Sequence, residues 1–199
     1  GKGLVPVLED WFSMRPELAG PTTAADFLRD YAMSSLVLAA DFRFKPVHGK
    51  DYYLYSTESG WKLSLIAPRE WGQKSIGDFL ARCQLRLNMT WELHIEDSDG
   101  GSLAAQRAQR FVMGFLKALS EQDSIVDSLP TYVEQLPYFR RLLASGLAAS
   151  LASSLPSVGV AVGRLLADEQ ASSRVLGETA RLELGKEQYS EGGAYGQSD

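Results

Sequence analysis

The sequence predicts an α+β fold: an N-terminal helix, an antiparallel β-meander of four to five strands, and an all-helical C-terminal half packed on the sheet or on a neighbouring molecule. Two changes in the spacing of apolar residues support this prediction. Helical spacing gives way to strict alternation after about residue 42, and helical spacing returns after residue 102. With 45% hydrophobic and 23% charged side chains among 199 residues, the composition is that of an ordinary globular protein.

The N-terminal segment is expected to form two helices. A short one is predicted around residues 8–13, and a longer one begins at Thr22 or Thr23 and runs to about Ala39. The longer helix has an apolar stripe formed by Ala25, Phe27, Leu28, Tyr31, Ala32, Leu36 and Leu38. Residues 1–7 carry no apolar stretch with a basic flank, so no signal peptide is predicted there.

A hairpin is predicted next, with strands at residues 51–55 and 61–66. The five-residue loop between them ends in Gly60, which can adopt the positive φ of a tight turn. We expect Tyr55 to pair with Trp61 in this hairpin. The face expected to meet the core then contains Tyr53, Tyr55, Trp61, Leu63 and Leu65.

A second hairpin shows stricter alternation. Residues 79–87 alternate between apolar and polar side chains, and a second strand follows at residues 91–95. A three-residue loop at 88–90 keeps both apolar faces on the same side and pairs Arg86 with Glu92. The apolar face is predicted to contain Phe79, Ala81, Cys83, Leu85, Leu87, Trp91, Leu93 and Ile95.

The remainder of the chain is expected to be helical. Ser102 is the predicted N-cap of a helix from Leu103 to about Glu121. Prolines at positions 130, 137 and 156 then divide the chain, because proline disrupts a helix interior. The resulting helices are predicted at residues 131–136, 138–154, 157–169 and 171–186.

This interpretation divides the chain into three parts. Residues 1–101 are expected to form a domain of helix and β-meander, and residues 102–187 a helical region. Residues 188–199 form a polar, Gly-rich tail, which is expected to be disordered on its own because it has too few apolar residues to bury.

Charge and cysteine content exclude several classes of function. Twenty Lys and Arg residues against 25 Asp and Glu leave a net charge of −5, so no overall positive field attracts nucleic acid, and we expect no nucleic-acid partner. One cysteine, Cys83, and two histidines provide neither a disulfide framework nor the ligands of a typical zinc site. We therefore predict no bound metal and no cofactor.

Five short segments follow one another in a recognisable order. They are Phe42–Pro46, Tyr52–Tyr55, Leu63–Gly72, Asp78–Ala81 and Leu87–Trp91. The chain resembles a family catalogued as a domain of unknown function, family 2452, over about residues 23–95. The shared order of elements is a helix, an aromatic strand, a strand end with the pattern Ser-Leu-Ile-x-Pro-x-Glu-Trp-Gly, and a Thr-Trp strand. The resemblance supports the hairpins and implies no catalytic residue.

The segment Arg69-Glu70-Trp71 ends the first hairpin and is the candidate ligand-binding site, together with Tyr53. In this role Glu70 would act as an acid or base and Arg69 would bind an anion. In the alternative role, which we favour, Trp71 packs against the end of the sheet and Glu70 caps the following turn.

Two further features favour structural roles. Cys83 is predicted on the apolar face and His94 on the opposite one, so they cannot form a nucleophile pair, and a buried, inert thiol is expected. Arg107, Arg110 and Lys117 lie on one side of the predicted helix. They could meet a phosphate or anionic lipid, but a solvated face is the favoured interpretation.

The most distinctive segment is the uncharged run from Leu142 to Gly163. Its small residues predict close contact between helices, and those expected at an interface are Gly146, Ser150, Gly159 and Gly163. The run is long enough to span a bilayer. Pro156 and five serines favour packing against protein instead, which leaves peripheral membrane contact as the weaker alternative.

No catalytic motif is evident in the sequence, so an enzyme is not the expected class. We expect a non-catalytic accessory or structural subunit, or a protein-interaction module, that docks through its C-terminal helices into a larger complex. Its partners would be other protein subunits or a second copy, and the complex could be organellar and membrane-associated. The alternative is a soluble ligand-binding protein or enzyme with its site near Arg69, Glu70 and Trp71. An intracellular location, mitochondrial or cytoplasmic, is expected.

Overall fold

The structure, a computed structural model, describes residues 22–95, 102–130 and 135–168. The helices predicted at residues 8–13 and 171–186 lie outside this part of the chain, as do the polar tail and most of the helix predicted at 131–136.

Helix α1 (Ala24–Ala39) begins where the sequence predicts it. The hydroxyl oxygen of Thr23 accepts a hydrogen bond from the backbone N–H of Asp26 at 3.1 Å. This bond satisfies one of the N–H groups that a helix leaves open in its first turn. The buried face contains Phe27, Leu28, Tyr31, Ala32, Ser34, Leu36, Val37 and Leu38. The predicted stripe is therefore confirmed except at Ala25, which is only half-buried.

Four antiparallel strands follow α1. They are β1 (Asp51–Thr57), β2 (Gly60–Ser64), β3 (Asp78–Leu85) and β4 (Trp91–Ile95). Their spatial order is β2-β1-β3-β4, so β3 pairs with β1 rather than with β2. Residues 65–77 carry the chain back across β1 and include a short 3₁₀ turn at Pro68–Glu70. With helices after the sheet, the predicted α+β class is confirmed.

The register predicted for the first hairpin is wrong by one residue. Ser56, not Tyr55, pairs with Trp61, and Gly60 is already part of β2. Gly60 has a φ of 129°, which lets the chain reverse within two residues instead of five.

The side chains of β1 consequently exchange faces, because a shift of one residue turns each of them over. Tyr52 and Leu54 are buried in the core, and Tyr53 and Tyr55 lie on the outer face of the sheet. On β2, Trp61 and Leu63 keep their predicted inward positions. Leu65 lies beyond the strand and is 47% exposed.

The second hairpin has the predicted faces but a longer connection. Leu85, not Leu87, pairs with Trp91, so the predicted three-residue loop is replaced by residues 86–90. A shift of two residues leaves the paired residues 81–85 and 91–95 on their predicted faces, because the alternation has a period of two. Leu87 instead lies in the turn and is 46% exposed.

The longer turn is stabilised by its own contacts. Met89 has a φ of 66°, in the left-handed region, and its side chain is buried in the core. The side-chain carbonyl of Asn88 accepts hydrogen bonds from the Thr90 backbone N–H at 3.1 Å and hydroxyl at 2.6 Å. The predicted Arg86–Glu92 ion pair also forms, with Nε 3.2 Å from Oε2, although the two residues are not direct partners in the ladder.

An irregularity in β3 changes the position of its first aromatic side chain. Leu54 pairs with Ala81, but Tyr55 pairs with Phe79, so Leu80 has no partner of its own. This extra residue is a β-bulge, and it reverses the alternation on its N-terminal side. Leu80 is therefore buried and Phe79 lies on the outer face beside Tyr55, which corrects the predicted inward position of Phe79.

Three helices complete the described part of the chain: α2 (Leu103–Ser120), α3 (Ile125–Ser128) and α4 (Tyr138–Ala167). The predicted N-cap of α2 is confirmed, because the Ser102 hydroxyl oxygen accepts a hydrogen bond from the Ala105 backbone N–H at 3.0 Å. The buried face of α2 contains Ala104, Ala108, Val112, Leu116 and Leu119.

Helix α4 continues through Pro156, so its predicted division into residues 138–154 and 157–169 is wrong. Proline removes one helical hydrogen bond, and its ring crowds the carbonyl four residues earlier. Pro156 and Ala152 lie on the exposed side of the helix, where water can reach that carbonyl. The opposite side is buried through Ser154, Val158 and Val162.

One hydrophobic core joins the inner face of the sheet to α1, α2 and α4. Tyr52 and Trp91 are among its largest fully buried side chains, and their rings meet edge to face with 5.7 Å between centroids. The backbone N–H of Trp91 donates a hydrogen bond to the hydroxyl oxygen of Ser34 in α1 at 2.9 Å. Since β4 is an edge strand, this hydroxyl supplies a partner that no further strand provides.

Three long-range hydrogen bonds, two from Arg140 and one from Tyr31, attach the C-terminal helices to α1. Arg140 of α4 donates from Nε at 3.0 Å and from Nη2 at 2.5 Å to the carbonyl oxygen of Leu38. Carbonyls in the last turn of a helix have no partner within it, and a positive charge there is favourable. The Tyr31 hydroxyl donates to the Ser128 carbonyl at 2.6 Å and holds α3 against α1.

Gly77→Ala is expected to destabilise the fold, because the new Cβ would lie 2.3 Å from the carbonyl oxygen of Ser56. That oxygen belongs to the backbone of β1, so a strand must shift. We expect the free energy of unfolding, measured by urea denaturation, to fall by about 1–3 kcal/mol.

Gly114→Ala in α2 is the matched control, since its Cβ meets nothing within 4 Å. It should raise stability by up to about 1 kcal/mol, because alanine favours a helix more than glycine does. A Gly77→Ala variant as stable as the wild-type protein would contradict the close strand contact.

Candidate functional site

Two of the predicted ligand-binding residues, Tyr53 and Trp71, lie on the outer face of the sheet, and the other two, Arg69 and Glu70, lie in the 3₁₀ turn before Trp71. On the outer face, Tyr53, Tyr55, Trp71 and Phe79 form an aromatic cluster. Phe79 lies 6.3 Å from Tyr53 and 5.5 Å from Tyr55, measured between ring centroids, and Trp71 meets Tyr55 edge to face at 6.2 Å. Tyr53 and Trp71 therefore belong to one surface.

Hydrogen bonds hold Trp71 and Glu70 in place within the chain. The indole N–H of Trp71 donates to the Tyr55 hydroxyl oxygen at 3.0 Å, and that hydroxyl donates to the Ile66 carbonyl at 2.8 Å. Burial raises the pKa of Tyr55, which keeps its phenol protonated. The carboxylate of Glu70 accepts a hydrogen bond from the Ala67 backbone N–H at 2.7 Å and closes the 3₁₀ turn. These are the contacts of packing and capping residues.

Arg69 and Tyr53 retain groups that a ligand could use. Arg69 is exposed and makes no hydrogen bond or ion pair with the described residues. The Tyr53 hydroxyl likewise has no hydrogen-bond partner among them. The four candidate residues thus divide into two that are engaged in the fold and two that remain available.

The other half of the outer face carries charged and polar side chains that pair with one another. The Asp51 carboxylate accepts hydrogen bonds from Gln84 at 2.6 Å and from Arg82 at 3.2 Å. The hydrogen bond from Gln84 is the main cause that lowers the pKa of Asp51 below its ordinary value, and the hydrogen bond and positive charge of Arg82 lower it further. This pairing is typical of a solvated sheet face rather than of a poised acid or base.

At the edge next to α1, Arg86 lies between Glu92 and Asp30, with its Nη1 3.1 Å from the Asp30 carboxylate. Burial raises the pKa of Asp30 in spite of this guanidinium. The network connects β3 to α1 and leaves Arg86 with two carboxylate partners.

Cys83 is fully buried on the inner face, and burial raises the pKa of its thiol. His94 lies on the outer face, as the sequence predicts, so the two side chains are on opposite sides of the sheet. In the described ranges, no group of three His, Cys, Asp or Glu side chains is arranged to hold a metal ion.

The four predicted interface residues occupy two different environments along α4. Gly146 and Ser150 are buried in its N-terminal half, within the core. Gly159 and Gly163 line an open cavity of about 710 Å³, which we call the α4 groove.

The α4 groove lies between the ends of α2 and α4 and the short helix α3. Its apolar lining includes Leu119, Ile125, Val126, Leu155, Gly159 and Gly163. Asp123 is the one charged residue among the described residues that line it. The groove is thus largely apolar and open to solvent.

Helix α4, with 30 residues, is long and apolar enough to cross a membrane. Somewhat less than half of its most apolar 18-residue stretch is buried inside the protein. Core helices of water-soluble proteins have the same length and composition, so these properties alone do not distinguish the two cases.

The side of α2 that was expected to be solvated contains a half-buried arginine. Arg107 donates from Nη1 to the Ser56 hydroxyl oxygen at 2.7 Å and to the Thr57 carbonyl at 2.9 Å. Sequence spacing places Arg107 beside Arg110 on the helix, but it cannot show that the end of β1 packs against them. This contact depends on the docking of α2 over the sheet.

Residues 22–110 match the family model of DUF2452. The family is described as a protein of unknown function, and the match confirms the resemblance over about residues 23–95 and extends it into α2. No curated protein and no solved structure matches the chain. The DUF2452 segment contains α1, the whole sheet, the aromatic cluster and Arg107, whereas the α4 groove lies beyond it.

Trp71→Ala is expected to lower the free energy of unfolding by about 1–3 kcal/mol, because it removes the ring and the N–H that contact Tyr55. Arg69→Ala should change it by less than about 0.5 kcal/mol, since Arg69 is exposed. Urea denaturation of both variants measures the difference. Equal losses of unfolding free energy in the two variants would contradict the distinction between Trp71, which is engaged in the fold, and Arg69, which remains available.

Asp51→Asn is expected to reduce stability at neutral pH and to lose this effect in acid. A carboxyl group whose pKa is lowered by folding adds stability above its unfolded pKa of about 4 and loses it as the pH falls through the folded value. Thermal midpoints of variant and wild type should therefore converge between about pH 4 and pH 2. The difference should be small, because the Asp51–Arg82 pair is partly exposed. A difference that persists in acid would contradict this assignment.

Proposed function

We propose that this protein is a non-catalytic interaction module that binds an apolar helix in the α4 groove, and that this helix is α4 of a second copy of the chain. The observation that carries the proposal is an open, largely apolar groove whose lining includes Gly159 and Gly163. Docking of an amphipathic helix into an apolar groove is a common mode of protein recognition.

The two glycines support an external role because the fold does not require them. A Cβ at Gly163 would meet nothing within 4 Å, and one at Gly159 would meet only the Leu155 side chain at 4.0 Å. Glycine in a helix costs about 1 kcal/mol relative to alanine. Small residues at this spacing allow the backbone of a second helix to approach closely.

The surface around the groove provides the complementary features that a second copy needs. Val160, beside Gly159 on α4, is 75% exposed, and Val126 at the groove is 58% exposed. A symmetric interface must place both projections and recesses on one patch, and this patch has Val160 as a projection and Gly163 as a recess. Arg164 is also exposed and offers an opposite charge to Asp123 of the second copy.

A protein partner fits α4 better than a bilayer does. The N-terminal half of the helix is packed into the core through Leu142, Leu143, Leu147 and Leu151. Insertion into a membrane would have to separate this half from α1 and expose the core. The exposed side of the C-terminal half also carries Ser153, Ser157 and Arg164, which are unfavourable in hydrocarbon.

The second candidate function is binding of a small ligand at Tyr53, Arg69, Glu70 and Trp71. The exposed Arg69 and the Tyr53 hydroxyl favour it, since both remain available beside the aromatic cluster. An organellar complex and an intracellular location, mitochondrial or cytoplasmic, stay predictions.

Analytical ultracentrifugation of the full chain at micromolar concentrations tests the main proposal. The wild-type chain is expected to sediment as a dimer. Gly159→Leu and Gly163→Leu should each give a folded monomer, because a leucine fills the groove from the floor. Gly114→Leu, which adds the same side chain to an open position of α2 outside the groove, should leave the dimer unchanged.

Three outcomes would overturn the proposal. The first is a wild-type chain that is monomeric over the whole concentration range. The second is a dimer that survives both groove substitutions. The third is co-sedimentation with lipid vesicles that Gly159→Leu does not weaken, which would favour membrane contact instead.

A further inference from the structure

A second cavity, of about 360 Å³, lies between the turn of the β1–β2 hairpin and the N-terminal half of α2. It is lined by Ser56, Gly60, Trp61, Arg107, Arg110 and Phe111. We call it the Arg107 cleft. It is separate from the α4 groove and from the aromatic cluster, and it lies between elements that the DUF2452 segment contributes.

Arg107 is held in a fixed orientation at this cleft. Its Nη1 is occupied by the Ser56 hydroxyl oxygen and the Thr57 carbonyl. A guanidinium has five N–H groups in one plane, so Nη2 and Nε remain for a further acceptor. Because both internal partners are uncharged, they orient the side chain without neutralising its charge.

Arg110 brings a second positive charge to the same cleft. Neither arginine is within ion-pair distance of a carboxylate in the part of the chain that the structure describes. Two like charges three residues apart on one helix repel each other slightly. An oxyanion between them would relieve the repulsion and accept charge-assisted hydrogen bonds from both.

Aromatic rings form the remaining walls. Trp61 and Phe111 are partly buried against the core, and both also line the cleft. Anchored rings of this kind can stack on a flat ligand, and the two guanidinium planes can contribute to the same contact.

We propose that the Arg107 cleft binds a small ligand that joins an oxyanion to a planar aromatic ring, of the class of a nucleoside monophosphate. The phosphate would lie between Arg107 and Arg110, and the base would lie against Trp61 and Phe111. A cavity of about 360 Å³ is at the small end of the range for ligand sites, which suits one mononucleotide rather than a longer chain. The net charge of −5 also opposes a polymeric nucleic acid.

Isothermal titration calorimetry of the full chain with three probes tests both parts of this recognition. Adenosine monophosphate carries the ring and the anion, adenosine carries only the ring, and inorganic phosphate carries only the anion. We expect adenosine monophosphate to bind at least about tenfold more tightly than adenosine or inorganic phosphate. The charge-assisted hydrogen bonds to the phosphate and the stacking of the base should each raise the affinity by at least about tenfold. Higher salt should weaken its binding.

Arg110→Gln is the informative variant, because Arg110 is exposed and its loss leaves the fold intact. It should weaken binding of adenosine monophosphate about tenfold. Lys117→Gln removes the same charge from an exposed position of α2 outside the cleft and should change the affinity less than about twofold. Arg107→Gln should weaken binding further, and its thermal midpoint shows whether the hairpin contact has also been lost.

The proposal is overturned if no probe binds. It is also overturned if phosphate binds as tightly as the monophosphate, which would indicate an anion site without ring recognition, or if Lys117→Gln weakens binding as much as Arg110→Gln does. These results are independent of the oligomeric state, so they distinguish this site from the α4 groove.

Discussion

Burial of one face of the four-stranded sheet is the constraint on which the rest of the structure depends. The inner face carries Tyr52, Leu54, Cys83 and Trp91, which must be removed from water. Helices α1 and α2 cover this face, and α4 packs against those two helices. The Ser34–Trp91 hydrogen bond joins α1 to the edge of the same face. The C-terminal half of α4 lies next to the end of α2 and to α3, and these three helices line the α4 groove.

Two local irregularities determine what the outer face displays. Gly60 shortens the first turn, and the bulge at Leu80 reverses the alternation of β3. Together they place Tyr53, Tyr55 and Phe79 on the side away from the helices, where Trp71 covers part of them. The aromatic cluster is therefore a second, smaller hydrophobic unit that stabilises the end of the sheet, and Arg69 lies in the 3₁₀ turn that precedes Trp71.

The candidate binding surfaces draw on different parts of the chain. The Arg107 cleft combines a hairpin end with α2, and its orientation depends on the packing of α2 over the sheet. The α4 groove depends on residues beyond the DUF2452 segment and on a helix that continues through Pro156. A ligand in the cleft and a helix in the groove would thus contact separate ends of α2, which is the element common to both.

Patterns of spacing determined the fold class, the first helix, the cap at Ser102 and the inward faces of residues 81–85 and of β4, because periodicity and capping are properties of neighbouring residues. They could equally identify Trp71, Glu70 and the two glycines of α4 as residues to examine. Tertiary structure alone decided the register of the first hairpin, the bulge at Leu80 and the passage of α4 through Pro156. It also brought Arg107 to Ser56, 51 residues apart in the chain. These features depend on packing between distant segments, whose contact energy outweighs the local preference of any single turn or proline.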